Sequence, residues 1–355
     1  MTPVILCLDI GSGTQDALLV RPGLEPPEAS PKFVLPTPAR IVARRIQALT
    51  QEGKAVYLAG RNMGGGFGGA LRKHLAAGLP AAAYPEAALA LADDPTRLRD
   101  MGVTLSDTCP PGFHAVELAD FHTDFWRAML DLASLPYPDL ILAAAQDHGH
   151  HPQGGNRVGR FTLWHRFLTE NHGQPEALLF RQPPAELTRL RALQESIGGG
   201  FVADTGAAAV LGVLSDPEIA DICSHQGILV VNVGNSHVVA FLVFQQRILG
   251  VYEQHTTAIT AARLMSDLTA FRLGHLDAQT VLSQGGHGCL TLDLPPEARH
   301  FEPMFVVGPR RSLLTGSGAT FPAPGGDMML TGCFGLLHGY ELLRKRGEES
   351  HATPS

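Results

Sequence analysis

One plan occurs twice in this 355-residue chain, and it restricts the fold more than any other feature. From Val4 to Val20 an apolar run ends in Asp9, passes a tight Gly11-Ser12-Gly13-Thr14 turn and resumes as a second apolar run. From Ile228 to Val243 the same order returns, with Asn232 where Asp9 stood and Gly234 where Gly11 stood. Each stretch reads as a hairpin whose glycines permit positive φ and let a ligand come close to the backbone. Successive N–H groups in such a turn make a nest of anion size, and a carboxylate at its edge can hold a hydrated magnesium ion. Taken singly, either stretch reads equally well as an ordinary hairpin turn. Their duplication points to two similar halves with a boundary near 180–200.

The segments between the hairpins alternate strand and helix. A Pro- and Glu-rich loop over 21–31 leads to a strand at Lys32–Leu35 and a helix opened by Thr37-Pro38. Ala55–Ala59 reads as a buried strand running into Gly64–Gly69, five glycines in six residues, with a helix from Ala70. The alanine-rich span 81–110 reads as helical in its middle. Asp139–Ala145 is a strand that delivers Gln146-Asp147-His148-Gly149-His150-His151 into a loop. Ala203-Asp204-Thr205 turns a strand end into a helix over Ala207–Leu214. Thr257–Leu273 reads as another helix, and Met328–Gly335 as a strand passing into the last one. The pattern predicts an α/β fold of mixed sheets with helices on both faces. The halves are expected at 1–195 and 196–345, with a frayed tail at 346–355.

Composition narrows the function classes. A hydrophobic content of 45% with 17% charged residues permits a sizeable core. A net charge of −7 argues against nucleic acid or an anionic membrane surface as the main partner. No apolar run reaches the ~18 residues a spanning helix needs, and the start lacks the basic region of a signal peptide. Five scattered cysteines without CxxC spacing suit a reducing compartment, so the cytoplasm is expected.

Two glycine-and-hydroxyl turns, one per half, followed by a C-terminal Gly332-Cys333-Phe334-Gly335, resemble the sugar kinase/Hsp70/actin superfamily of ATPases. Asp9–Asp16 looks like its first phosphate loop, Asn232–His237 like its second, and Leu330–Gly339 like its adenosine segment. The stretch Ala203–Gly212 is similar to the acidic segment that precedes the second loop in several sugar kinases. More narrowly, the chain resembles a family labelled as a pyruvate formate-lyase activating enzyme. That label implies radical chemistry on a CxxxCxxC cluster motif, which this sequence lacks. The resemblance implies a two-lobed, actin-like (ribonuclease H-like) fold that binds ATP and Mg²⁺ between its lobes. It departs from the superfamily at Asn232, where an aspartate is usual, and at Gln15-Asp16, where a basic residue is frequent.

On that resemblance Asp9 would order the magnesium ion, with Gly11, Ser12, Gly13 and Thr14 on the β- and γ-phosphates. Gly234, Asn235 and Ser236 would close from the other half, and Gly332 and Gly335 would border the adenosine. Asp204 reads as a general base for a hydroxyl acceptor or as a helix N-cap. Asp147, at a strand's C-terminal end, is the rival base or a solvated loop carboxylate. Gly64, Gly65 and Gly66, with His148, Asn156 and Arg157, are candidates for contacting an unknown small-molecule acceptor. Phosphotransfer or ATP hydrolysis is therefore expected. A slowly hydrolysing switch or assembly protein is the alternative, and a metal enzyme built on Asp147, His148, His150 and His151 is a further one. The sequence leaves the oligomeric state open.

Overall fold

The computed structural model describes residues 3–23, 29–151 and 156–352, without the side chains of residues 95, 156–158 and 347–352. Residues 24–28 of the loop expected at 21–31 thus lie outside the described residues. The chain opens with an antiparallel meander, β1 (Ile5–Ile10), β2 (Thr14–Val20) and β3 (Lys32–Pro36), followed by α1 (Pro38–Gln51). Next come β4 (Ala55–Gly60), α2 (Gly68–Ala76), β5 (Ala81–Ala83), the short helices α3 (Pro85–Ala88) and α4 (Pro95–Asp100), β6 (Val103–Leu105) and β7 (Phe113–Leu118). Then follow α5 (Thr123–Leu132), β8 (Leu140–Ala145), α6 (Asn156–Glu170), β9 (Leu179–Phe180), α7 (Thr188–Ser196), β10 (Phe201–Ala203), α8 (Thr205–Leu214) and α9 (Pro217–His225). The last stretch holds β11 (Ile228–Val233), β12 (His237–Phe244), β13 (Arg247–His255), α10 (Ala261–Arg272), α11 (Ala278–Ser283), β14 (Gly288–Thr291), β15 (Met304–Val307) and α12 (Thr331–Ala352).

The duplicated sequence plan is a duplicated topology. One sheet has the order β3-β2-β1-β8-β10-β9 and another β14-β13-β12-β11-β15. In both, the first hairpin strand pairs antiparallel with its successor and parallel with a later strand, β8 or β15. β1 and β11 share one burial pattern: every residue is buried except the fifth, Asp9 or Asn232, which is half-buried. Strands covered on both faces need near-continuous apolar runs, as these have. The single polar residue stands near the C-terminal end, where open α/β sheets place their ligands. β10 completes the first sheet from beyond the 195/196 boundary expected from the repeat.

A third sheet, β6-β5-β4-β7, is parallel throughout and packs on α1 and α2. It supplies strands at both ends of the 81–110 span, around the helices α3 and α4 that occupy its middle as expected. Ala81–Ala83 favours helix by propensity, yet a parallel ladder to Val56–Leu58 claims it, so tertiary pairing overrides local preference.

α8 lies between the main sheets, and α12 crosses it on the side of the first sheet. α8 is buried at nine of its ten positions. Ala207, Val210 and Val213 pack with Val230, Phe241 and Val307 of the second sheet, whereas Ala208 packs with Cys7, Leu142 and Ala144 of the first. α12 adds Cys333, Leu336 and Leu337 to that first-sheet layer. The helices cross backbone to backbone. A Cβ on Gly335 would lie 1.9 Å from the Ala208 carbonyl oxygen, and one on Gly212 would lie 2.1 Å from the Thr331 carbonyl oxygen. The strand expected before α12 is instead a 3₁₀ turn, Met328–Leu330, capped where the Met329 N–H donates to Asp327. α12 itself continues to Ala352, through most of the tail expected to fray. No helix among the described residues is long and apolar enough to cross a membrane.

Gly335→Ala is expected to destabilise the protein by at least about 1–3 kcal/mol, the usual cost of overpacking. Gly69→Ala, at an exposed helix position, should instead be neutral or raise stability by up to ~1 kcal/mol. Thermal unfolding followed by circular dichroism reads both. Equal melting temperatures for Gly335→Ala and the wild type would contradict this packing.

Candidate functional site

A cleft of about 470 Å³ opens where the two hairpins and the small sheet converge. At its rim the turns meet. The Gly11 N–H donates to the Thr14 carbonyl over 2.9 Å, and the Gly234 N–H donates to the His237 carbonyl over 2.9 Å, so one bond pattern closes both turns. Ser236 Oγ donates to Ser12 Oγ at 2.9 Å, joining positions 224 residues apart. A Cβ on Gly13 would lie 2.4 Å from Asn235 Nδ2, so the tips approach as closely as glycine allows. Gly11, Ser12, Thr14, Gly234, Asn235 and Ser236 all border the cleft.

Its floor carries an electrostatic imbalance. Asp9 faces Asp16 directly across the β1–β2 ladder, an arrangement of like charges that costs stability. Oδ1 of each is shielded from solvent and has no partner. Burial, then the neighbouring Asp16 and Asp204, holds the Asp9 carboxyl well above its ordinary range. Burial also raises Asp16 to about 7, against a lowering hydrogen bond from the Thr14 hydroxyl. Two carboxyls on paired residues, short of positive charge and each with an unused oxygen, suit a hard divalent cation. Gly332 borders the same floor, and a Cβ there would lie 2.1 Å from Asp9 Oδ2. Gly335 does not reach the cleft, because α8 occupies its open side. Asn232 lines the cleft on the opposite hairpin.

Gly64, Gly65 and Gly66 form another wall. Their bareness serves the protein as well as any ligand, since Cβ atoms on Gly64 and Gly65 would strike Arg189 Nη2 at 2.8 Å and the Ala90 carbonyl at 2.5 Å. Arg189 donates to both oxygens of Asp120, at 2.7 and 2.9 Å, and to the Gln146 carbonyl at 2.7 Å. That clamp was not evident in the sequence.

The two candidate bases are both engaged. Asp204 caps α8 through the Gly206 N–H at 2.9 Å and receives Arg160 at two points, 2.7 and 3.1 Å. Asp147 accepts the Gly149 N–H on one oxygen and the Leu190 N–H on the other. Arg160 is buried and also donates to Glu253 at 2.9 Å and to the Asp147 carbonyl at 2.6 Å. One cation thus bridges two buried carboxylates, and removing it would leave both without a positive partner. Burial alone would raise Glu253, but Arg160 and the nearby imidazoles hold it at about 2.

The loop histidines divide. His148 turns toward His237 and His287, with ring centroids 5.3 and 5.1 Å away, while His237 and His287 are 5.0 Å apart. His150 faces Asp93, with Nδ1 3.7 Å from the carboxylate, and the His151 N–H donates to Asp93 as well. Asp147, His148, His150 and His151 therefore do not converge on one ion, which corrects the expectation of a metal centre within that loop. The convergent set is His148, His237, His287 and Glu253. Burial pushes His237 down to about 4 and His287 down to about 3, and lowers His148, so the rings are neutral near pH 7. In the sequence, Glu253 is the carboxylate that directly follows the largely apolar run Ile248–Tyr252. His287 carried no local signal. The side chains of Asn156 and Arg157 lie outside the described residues.

A protein-family profile described as "Putative pyruvate format-lyase activating enzyme (DUF1786)" matches residues 63–313, well over half of the chain. The chain belongs to this family. The match begins after the first hairpin and ends before α12. The family's description does not fit the thiols of this member. Cys7, Cys223, Cys289 and Cys333 are buried, Cys109 is exposed, and no three of them converge among the described residues. No curated protein matches the chain. Among solved structures, an exopolyphosphatase-like protein is similar at 9% identity and a TM-score of 0.28, over 86% of this chain and 66% of that one. A nucleotide-free acetone carboxylase, from a study titled as ATP-dependent acetone carboxylation, is similar at 12% identity and a TM-score of 0.22, over 70% and 45%. The chain spans just under two thirds of the first and under half of the second, and at these scores neither transfers an activity.

In this family member the Asp16 carboxyl titrates near 7 when folded and near 4 when unfolded, so between those values the folded state holds the extra proton. Its contribution to stability is complete below about pH 4 and is lost as the pH rises toward about 7. Without divalent cations, Asp16→Asn should gain stability over the wild type steadily across that window. His237 and His287 change stability in the opposite sense in both proteins, so the difference reports Asp16 together with the Asp9 carboxyl that it raises. Parallel melting-temperature curves would contradict the assignment.

Proposed function

We propose that the protein binds ATP with a divalent cation, magnesium in the cell, across the cleft, and acts as a phosphotransferase or ATPase toward a small-molecule acceptor. The observation that carries this is the meeting of the two turns at Ser12 and Ser236 beside Asp9 and Asp16, whose Oδ1 atoms have no partner. Backbone N–H groups of both turns would cradle the β- and γ-phosphates from opposite sides. Asp9, with Asp16 beside it, would hold the cation through its hydration shell, and Gly332 would admit the nucleotide close to α12. Bound ATP supplies the phosphoryl group, and the cation neutralises its charge. The chain's part is to position the phosphates and exclude water by closing the hairpins over them. The acceptor would enter beside Gly64–Gly66 and His148.

A second reading, a switch that hydrolyses ATP slowly, has its own support. Asn232 replaces a carboxylate on the second hairpin, and both Asp204 and Asp147 spend their oxygens on internal partners. Phosphate release measured with and without a metabolite panel separates the two, because only a phosphotransferase is acceptor-dependent.

ATP with magnesium at a hundred-fold its Kd should stabilise the protein by about 2.7 kcal/mol, a melting-temperature rise of roughly 5 °C. Asp9→Asn should melt no lower than the wild type without ligand, since it removes a buried unpaired acid, yet lose the magnesium-dependent part of the rise. No shift at millimolar ATP, or an undiminished one in Asp9→Asn, would overturn the proposal.

A further inference from the structure

Beside the proposed phosphate cleft stands a second constellation of a different chemical kind. We propose that His148, His237, His287 and Glu253 bind one divalent ion of the late first-row transition series, with zinc as its representative, in the wall of the cleft. Each residue offers one ligand atom, and the four atoms lie within 4.8 Å of one another. Zinc held at ~2.0–2.1 Å in a tetrahedron would set its donors about 3.4 Å apart, so the cluster needs only a small inward contraction. Three imidazoles and one carboxylate suit zinc, cobalt or nickel, whereas magnesium takes oxygen ligands and keeps its waters.

The donor atoms are otherwise unexplained. His148 Nε2, both ring nitrogens of His237 and Nδ1 of His287 are shielded from solvent without a hydrogen-bond partner, and His287 is only 5% exposed. Buried polar atoms left unpaired cost stability, and three such rings gathered on one carboxylate are a concentration of that cost. An ion would satisfy them together.

The site is also built on a rigid frame. His237 begins β12, Glu253 lies in β13, and His287 precedes β14, three neighbouring strands of one sheet, so only His148 comes from a loop. Glu253 is oriented from both sides: Arg160 Nε donates to Oε2 and Gln146 Nε2 to Oε1, each at 2.9 Å. Such outer-shell bonds are what fix a ligating carboxylate. Oε1 is also the oxygen that faces His148 Nε2, 3.9 Å away. His148 and His237 border the cleft, and His237 directly follows Ser236 of the second turn. A further coordination position of the ion would therefore open toward the cleft, where water or an oxygen of a bound ligand would occupy it. The site stands whether or not the cleft takes a nucleotide.

The full chain, stripped with a chelator and kept free of nucleotide, is titrated with zinc by calorimetry and with cobalt by visible absorption. One zinc per chain with sub-micromolar affinity is expected, together with the intense visible bands of a four- or five-coordinate cobalt site. Millimolar magnesium should not compete. His237→Ala and His287→Ala should each weaken zinc binding by at least about 100-fold, more than the loss of an outer-shell partner usually costs. His150→Ala should leave it unchanged. His287→Gln carries the same expectation as His287→Ala while keeping a polar side chain, and circular dichroism without metal establishes that each variant is folded. No binding at micromolar zinc, zinc binding that survives the paired His237→Ala and His287→Ala change, or its loss in His150→Ala would overturn the proposal.

Discussion

The close crossing of α8 and α12 is the contact on which the rest of the molecule depends. Gly212 and Gly335 bring the two backbones nearer than any side chain would permit, and α8 fills the space between the duplicated sheets while α12 backs it on the first. Because α8 packs on both sheets at once, the spacing of its faces sets the separation of β1 from β11. Those strands end in the two turns, so a packing constraint in the core becomes the distance between Ser12 and Ser236 at the rim. The first turn of α12 belongs to the same arrangement, since Gly332 rests against Asp9 while Gly335 rests against α8.

Charge is distributed unevenly over the cleft, and the two ends differ in kind. At the Asp9–Asp16 end, two carboxyls stand on directly paired residues, and Oδ1 of each has no partner. At the other end Arg160 pairs with both Asp204 and Glu253, and neutral imidazoles are the unsatisfied groups. A folded protein tolerates such deficits where a ligand makes them good, and buried unpaired polar groups gather at functional sites for that reason. Oxygen donors at one end and nitrogen donors at the other invite different ions. The two sites would therefore not compete for the same metal.

Much of this was legible in the sequence because its signals were local. The apolar run, single polar residue and glycine turn specified β1–β2 and β11–β12, and their recurrence specified the duplicated sheets. Asp204 could be read as an N-cap from its place before an alanine-rich helix, and it is one. The features that escaped were those made by distant parts of the chain. The strand at Ala81–Ala83 left no local mark because its strand character comes only from pairing with β4. The Gly332–Gly335 pair admits either a flat ligand or another backbone, and at Gly335 the neighbour is the backbone of α8. The histidines at 148, 237 and 287 come together only through sheet order, which no spacing rule encodes. The loop histidines were a visible cluster, yet only His148 among them joins the convergent group.

The central claim is that one ligand engages both turns together. Hydrogen–deuterium exchange, measured with and without ATP and magnesium, tests it at the backbone N–H groups themselves. The account predicts that peptides spanning Gly11–Thr14 and Gly234–Ser236 become protected at the same ligand concentration, although they lie in different sheets. Protection of one turn alone, or of neither while the ligand demonstrably binds elsewhere, would contradict it.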